Sequence, residues 1–106
     1  MSNVVEEVHV GDIGTKFLVT VKEGDDPVDI SEATTKNIIF KKPNGTSVTK
    51  AGIFETDGTD GKIYYKTLSA SDLDVAGIWT IQASIVLPSL GTWKSSIGNF
   101  KVYDNL

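Results

Sequence analysis

The sequence predicts an all-β domain, an antiparallel Greek-key β-sandwich of seven to eight strands. Apolar and polar side chains alternate with period two in several separate stretches, the pattern of a strand with one buried face. Clusters of Gly, Pro, Asn, Asp and Ser fall between these stretches at intervals of about ten residues, and no long helical period occurs. The clearest stretch sets the frame. From Trp79 the odd positions read Trp79, Ile81, Ala83, Ile85 and Leu87, and the even ones Thr80, Gln82, Ser84 and Val86. That run is too long for an edge, so it is expected at the centre, with the rest of the chain packed round it.

In chain order, Val4, Val8 and Val10 belong to a short, charged opening strand that leaves Glu6, Glu7 and His9 facing water. Gly11-Asp12 breaks it. Residues 13–22 form a second strand, with Ile13, Phe17, Val19 and Val21 inward and Lys16, Thr20 and Lys22 outward. Gly24-Asp25-Asp26-Pro27 ends it, and a single turn over 29–34 drops Ile30 and Ala33 onto the core. Ile38 and Phe40 share one face of the next strand, which turns through Pro43-Asn44-Gly45-Thr46 into Ser47–Thr49. Ala51–Glu55 and Lys62–Thr67 bracket the turn-rich loop 56–61 as a second hairpin, Ile63 and Tyr65 inward, Lys62, Tyr64 and Lys66 outward. Ser69 caps one turn that Leu73 plugs into the core. After Pro88-Ser89-Leu90-Gly91 the chain returns as the last strand, where Trp93, Ser95 and Ile97 share one parity and Phe100 and Val102 the other. A β-bulge at Gly98-Asn99 reconciles the two. The expected core is Phe17, Val19, Val21, Ile38, Phe40, Ile53, Ile63, Tyr65, Leu73, Trp79, Ile81, Ala83, Ile85, Phe100 and Val102.

A chain of 106 residues fits one domain with one core. Without Cys there is no disulfide framework, thiolate metal site or cysteine nucleophile. The formal charge of −4 argues against a nucleic-acid backbone as partner. No apolar run approaches the ~20 residues that cross a bilayer, and Met1–Glu7 lacks the pattern of a signal peptide. The expectation is a product made in the cytoplasm that leaves only within an assembly, with no membrane partner.

No catalytic signature emerges. The lone His9 sits in an exposed strand, whereas a Ser–His–Asp relay needs an imidazole held in a packed cleft. Asp57-Gly58-Thr59-Asp60-Gly61 invites calcium, but the twelfth position from Asp57 is Leu68 where an EF-hand needs a bidentate Glu, and Asp and Gly are also ordinary hairpin chemistry. Asp25-Asp26 reads as a plain loop. There is no phosphate-binding Gly-rich loop and no pair of glycosidase carboxylates, so no cofactor, metal or catalytic residue is assigned. Trp93, Tyr64 and Tyr103 are candidates for an interaction surface, as stacking platforms for a glycan or anchors for another subunit. For Trp93 the alternative is that it covers the end of the core beside Pro88–Gly91. Val4, Val5 and Val8, with Leu106 at the other terminus, are candidates for strand addition to a neighbouring chain.

Val28-Asp29-Ile30-Ser31-Glu32-Ala33-Thr34, then Phe40-Lys41-Lys42-Pro43-Asn44-Gly45-Thr46, and finally Asp74-Val75-Ala76-Gly77-Ile78-Trp79 resemble the immunoglobulin-like N-terminal domains of tailed-phage baseplate upper proteins. They are also similar to small stand-alone phage virion proteins of that kind. The likeness spans roughly residues 10–103 and rests on fold markers. It implies an immunoglobulin-like sandwich and a non-enzymatic virion structural protein, a capsid, neck, tail or baseplate decoration or attachment subunit acting through protein–protein contacts. In the longer proteins this domain attaches the chain to the particle while a C-terminal region binds a host or a further subunit. With residue 106 read as the chain end, the resemblance leads to the expectation of the attachment role alone, a structural or decorating subunit. The implied partners are other virion proteins, engaged as a homo-oligomer or multivalently on a particle. The rival expectation is a carbohydrate-binding module in which Trp93, Tyr64 or Tyr103 stacks on a glycan.

Overall fold

The computed structural model describes residues 8–88, 91–95 and 97–104. The expectations placed on Val4, Val5, Glu6, Glu7 and Leu106 lie outside these residues. In chain order the strands are β1 (Val8–His9), β2 (Lys16–Thr20), β3 (Lys22–Glu23), β4 (Asp26–Pro27), β5 (Thr35–Lys41), β6 (Ser47–Ala51), β7 (Ile53–Phe54), β8 (Lys62–Lys66), β9 (Gly77–Leu87), β10 (Gly91–Lys94) and β11 (Gly98–Tyr103). A single 3₁₀ turn, Ala70–Leu73, completes the described elements. The fold is nearly all β. Its larger sheet runs β1-β11-β9-β5-β6, with β10 also on β9; β2-β8-β7 forms the smaller sheet and β3-β4 a separate hairpin. Pairing is antiparallel except for β1, which lies parallel to β11. More segments form than the seven or eight strands expected, because β3, β4 and β7 are two-residue pieces and the return strand is split into β10 and β11.

β9 is central, as its alternation requires. β5 lines one side over Thr35–Lys41, and β11 and β10 line the other. Its inward residues Trp79, Ala83, Ile85 and Leu87 are buried. The two sheets meet through an aromatic layer: Phe17 and Tyr65 of the smaller sheet face Phe40, Trp79 and Phe100 of the larger. Ring centroids are 4.6 Å apart for Phe17–Phe100, 5.3 Å for Phe17–Phe40 and 6.0 Å for Phe40–Tyr65, within the range where tilted and edge-to-face rings attract. Ile30 drops into the core and Ala33 packs against it, the Ala33 amide donating to the Ile30 carbonyl at 3.0 Å. Ser69 caps the 3₁₀ turn and Leu73 plugs it.

The parity slip in the return strand is real, but it sits earlier than Gly98-Asn99. Lys94 lies opposite Ser84 and Gly98 opposite Ile81, so three residues of the return strand span an interval that two residues of β9 fill. Ser95 holds the offset. Its buried hydroxyl accepts from the Ala83 amide at 2.8 Å, supplying the acceptor that the shifted ladder withholds. Trp93 therefore pairs with Ile85 and Phe100 with Trp79, both on the inward side.

The Lys42–Gly45 turn and the Asp74–Trp79 corner interlock. The Gly45 amide donates to the Lys42 carbonyl at 2.9 Å and Gly45 takes φ +91°, a three-residue hairpin closed by glycine. Gly77 has φ +127°, and a Cβ there would meet Pro43 Cγ at 2.7 Å, so the corner needs glycine twice over. Lys42 Nζ reaches the Asp74 carboxylate at 3.0 Å, and the Trp79 indole N–H donates back to the Val75 carbonyl at 2.9 Å.

Three expectations are corrected here. Ile53, assigned to the core, faces solvent and is 54 % exposed; it pairs with outward-facing Tyr64, while Phe54 turns in beside Ile63. Buried Gly52 carries no side chain to mark the face, so alternation could not fix this two-residue strand. Ile13 is exposed because β2 starts only at Lys16, after a loop bent at Gly11 and Gly14. His9 is half-buried instead of solvated, its ring 5.7 Å from that of Tyr103.

Candidate interaction surface

The smaller sheet places its outward side chains in cross-strand rows. Register puts Leu18 opposite Tyr64 and Tyr64 opposite Ile53, one continuous apolar row across β2, β8 and β7. Leu18 is 48 % exposed, Ile53 54 %, and Leu68, just beyond β8, 77 %. A shallow groove of about 400 Å³ opens along this side, lined by Ala51, Ile53, Tyr64, Tyr65, Lys66 and Leu68. Lysines border the row: Lys16 and Lys66 face each other at one end, and Lys62 stands at the other. Lys16 Nζ lies 4.6 Å from the Tyr64 ring centre and 2.6 Å from Glu55 Oε1. Tyr64 was expected here from its parity. Leu18 and Leu68 were not named, although the unbroken run Phe17-Leu18-Val19 signals that one apolar residue must face outward.

Beside this face lies a charged network that sequence reasoning missed. The Asp72 carboxylate accepts from the Tyr65 hydroxyl at 2.8 Å and the Leu68 amide at 2.8 Å, and pairs with Lys50 at 3.1 Å. Burial alone would raise this carboxyl. The amide, the hydroxyl and the ammonium together favour the anion and hold it down at about 2. Burial and the hydrogen bond to Asp72 push the Tyr65 hydroxyl the other way, up to about 12. Ser69 and Asp72 form a capping box, whose Ser-x-x-Asp spacing was the visible signal.

The other candidate surface residues do not converge. Trp93 is half-buried on the inward side of the larger sheet, packed on the core, with its indole N–H buried. Tyr103 is 39 % exposed, next to inward Val102 and 4.8 Å from Lys101 Nζ. Tyr64 belongs to the opposite sheet, so the three rings share no stacking platform. Val8 is buried against the core in parallel register with Val102, so its side chain adds nothing to an exposed apolar surface.

In the Asp57–Gly61 loop both carboxylates are engaged as turn caps. Asp57 Oδ1 accepts from the Thr59 amide at 3.0 Å and hydroxyl at 2.7 Å, while Asp60 Oδ1 accepts from the Lys62 amide at 3.1 Å. The Thr59 hydroxyl and amide hold the Asp57 carboxyl below the usual carboxylate range. Gly58 and Gly61 take positive φ, and the Gly58 carbonyl accepts from Ile30. Among the described residues no group of three or more His, Asp or Glu side chains is placed to hold a metal ion. Among them also, no helix is long and apolar enough to cross a membrane. Compared with known proteins, the chain matches no family model and no curated sequence.

Proposed function

We propose that this chain is a non-enzymatic structural subunit of a phage particle, an immunoglobulin-like Greek-key sandwich that works by docking on other virion proteins. The sheet order supports the fold. A six-stranded sheet faces a three-stranded one, the first strand lies parallel to the last, and the chain changes sheet from β1 to β2, from β2 to β5, from β6 to β7 and from β8 to β9. The mutual contact of the Lys42–Gly45 turn and the Asp74–Trp79 corner supports the resemblance they carry, since the two stretches serve one joint.

The observation that carries the functional reading is the outward Leu18–Tyr64–Ile53 row, in which exposed Leu18 and Ile53 flank a half-buried tyrosine on a regular sheet face. Contiguous apolar surface of this kind marks a protein contact. Repetition on a particle multiplies modest contacts into stable attachment. Co-sedimentation with purified virions, followed by peptide mass spectrometry of the particles, tests this. A fixed copy number per particle is expected, and consistent absence from particles overturns it.

A further inference from the structure

We infer that the outer face of the β2-β8-β7 sheet takes a protein segment whose apolar side chains are flanked by carboxylates. The inference rests on the reading that the chain works by docking on other proteins, and adds the chemistry of the partner. Along β2 the outward positions are Lys16, Leu18 and Thr20, and along β8 they are Lys62, Tyr64 and Lys66, with Ile53 completing the row on β7. The centre is apolar and the border is ammonium.

Glu55 supplies a carboxylate at this face, but it is spent on Lys16 at 2.6 Å. Lys62 and Lys66 have no ion pair among the described residues. Lys16 and Lys66 are direct cross-strand neighbours, and like charges so placed destabilise a sheet. A carboxylate brought by a partner relieves that repulsion while its apolar neighbours cover Leu18, Ile53 and Leu68. The groove beside Ile53 and Leu68 suits one such anchoring side chain.

A second copy docked by the same face would set lysine against lysine, so charge disfavours it. Nucleic acid and anionic membrane offer negative charge but must approach a chain whose net charge is −4. A polypeptide that touches only this strip, with its carboxylates beside the lysines, meets the favourable part of that field.

The test titrates the isotope-labelled full chain with a synthetic octapeptide of alternating Leu and Glu. Parallel titrations use the Leu–Lys counterpart, phosphatidylserine vesicles and duplex DNA. The expected result is saturable binding of the Leu–Glu peptide, weakened by salt, with amide shifts centred on Leu18, Ile53, Tyr64, Lys66 and Leu68. Binding should fall about tenfold in the double variant Leu18→Ser/Ile53→Thr. Lys66→Glu, which leaves the apolar row intact, should weaken the Leu–Glu peptide and favour the Leu–Lys one.

The inference is overturned by no saturable binding, by shifts elsewhere, by equal binding of the Leu–Lys peptide, or by tighter binding to vesicles or DNA. Self-association through the same residues overturns it too. Particle sedimentation separates this idea from the one beneath it. A double variant that still joins particles as the unaltered chain does removes this face and leaves the virion reading standing. An unaltered chain missing from particles removes the virion reading and leaves the peptide result to stand alone.

Discussion

Replacing Asp72 by Asn probes the carboxylate that, among the described residues, the fold holds down to about 2. The carboxyl titrates at about 2 in place of 3.8, and its side chain is only 9 % exposed, so little solvent screening discounts the effect. A depressed carboxyl stabilises the fold above its unfolded value and loses that stabilisation as pH falls through the folded one. The shift corresponds to roughly 2 kcal/mol above pH 5, about 1 kcal/mol near pH 3 and a few tenths near pH 2. Asn keeps an acceptor for the Tyr65 hydroxyl but gives up the charge that holds Lys50. The assay is urea denaturation of both proteins from neutral pH down to about pH 2. The stability difference should shrink across that window, since the unaltered protein surrenders its advantage as Asp72 takes up a proton. A difference that stays constant between pH 6 and pH 2 refutes the assignment of the shift to this network. Tyr65 acts at the opposite limit: its hydroxyl, raised to about 12, contributes stability that is complete below 10 and disappears as pH climbs through 12.

Four further outcomes follow from the geometry. Ile63→Ala should cost about 2–5 kcal/mol while Ile53→Thr stays within about 0.5, and comparable losses in thermal melts would reverse the face assigned to β7. Gly77→Ala forces a side chain into φ +127° and against Pro43, and should cost about 2 kcal/mol or more in denaturant titration; a loss below about 0.5 shows that the corner yields. Ser95→Ala leaves the buried Ala83 amide without its acceptor and should cost about 1–3 kcal/mol, with faster hydrogen exchange at Ala83; unchanged exchange there contradicts the account of the bulge. Millimolar calcium should leave the melting temperature where it is, because Asp57 and Asp60 already cap their own loop, and a rise of more than about 2 °C shows a bound ion.

Alternation made most of this fold legible. From Trp79 to Leu87, and at Ile38 and Phe40 in β5, alternation marked the apolar face that the structure turns inward. The slip between Trp93 and Phe100 was visible for the same reason, though glycine drew attention to Gly98 when a hydroxyl three residues earlier makes the offset tolerable. Ile53 failed because two residues after a glycine carry no phase. The interaction face was half legible: Tyr64 followed from parity, but the row it forms with Leu18 and Ile53 depends on register across three strands. Asp72 could be seen as a helix cap. Its meeting with Lys50, distant in sequence, is a product of tertiary approach that no local pattern encodes.

The return strand also has an arithmetic that its neighbours lack. Before the offset the chain presents odd-numbered residues to the interior, and after it even-numbered ones, so the bulge works as a phase shifter between Lys94 and Gly98. Continued without the bulge, the Lys94–Ser84 register would set Phe100 opposite Ile78, on the face where Ile78 is exposed, and would aim both Phe100 and Val102 at solvent. The exposed turns can absorb a change of length with modest entropic penalty, but here the number of residues is itself part of the fold's specification.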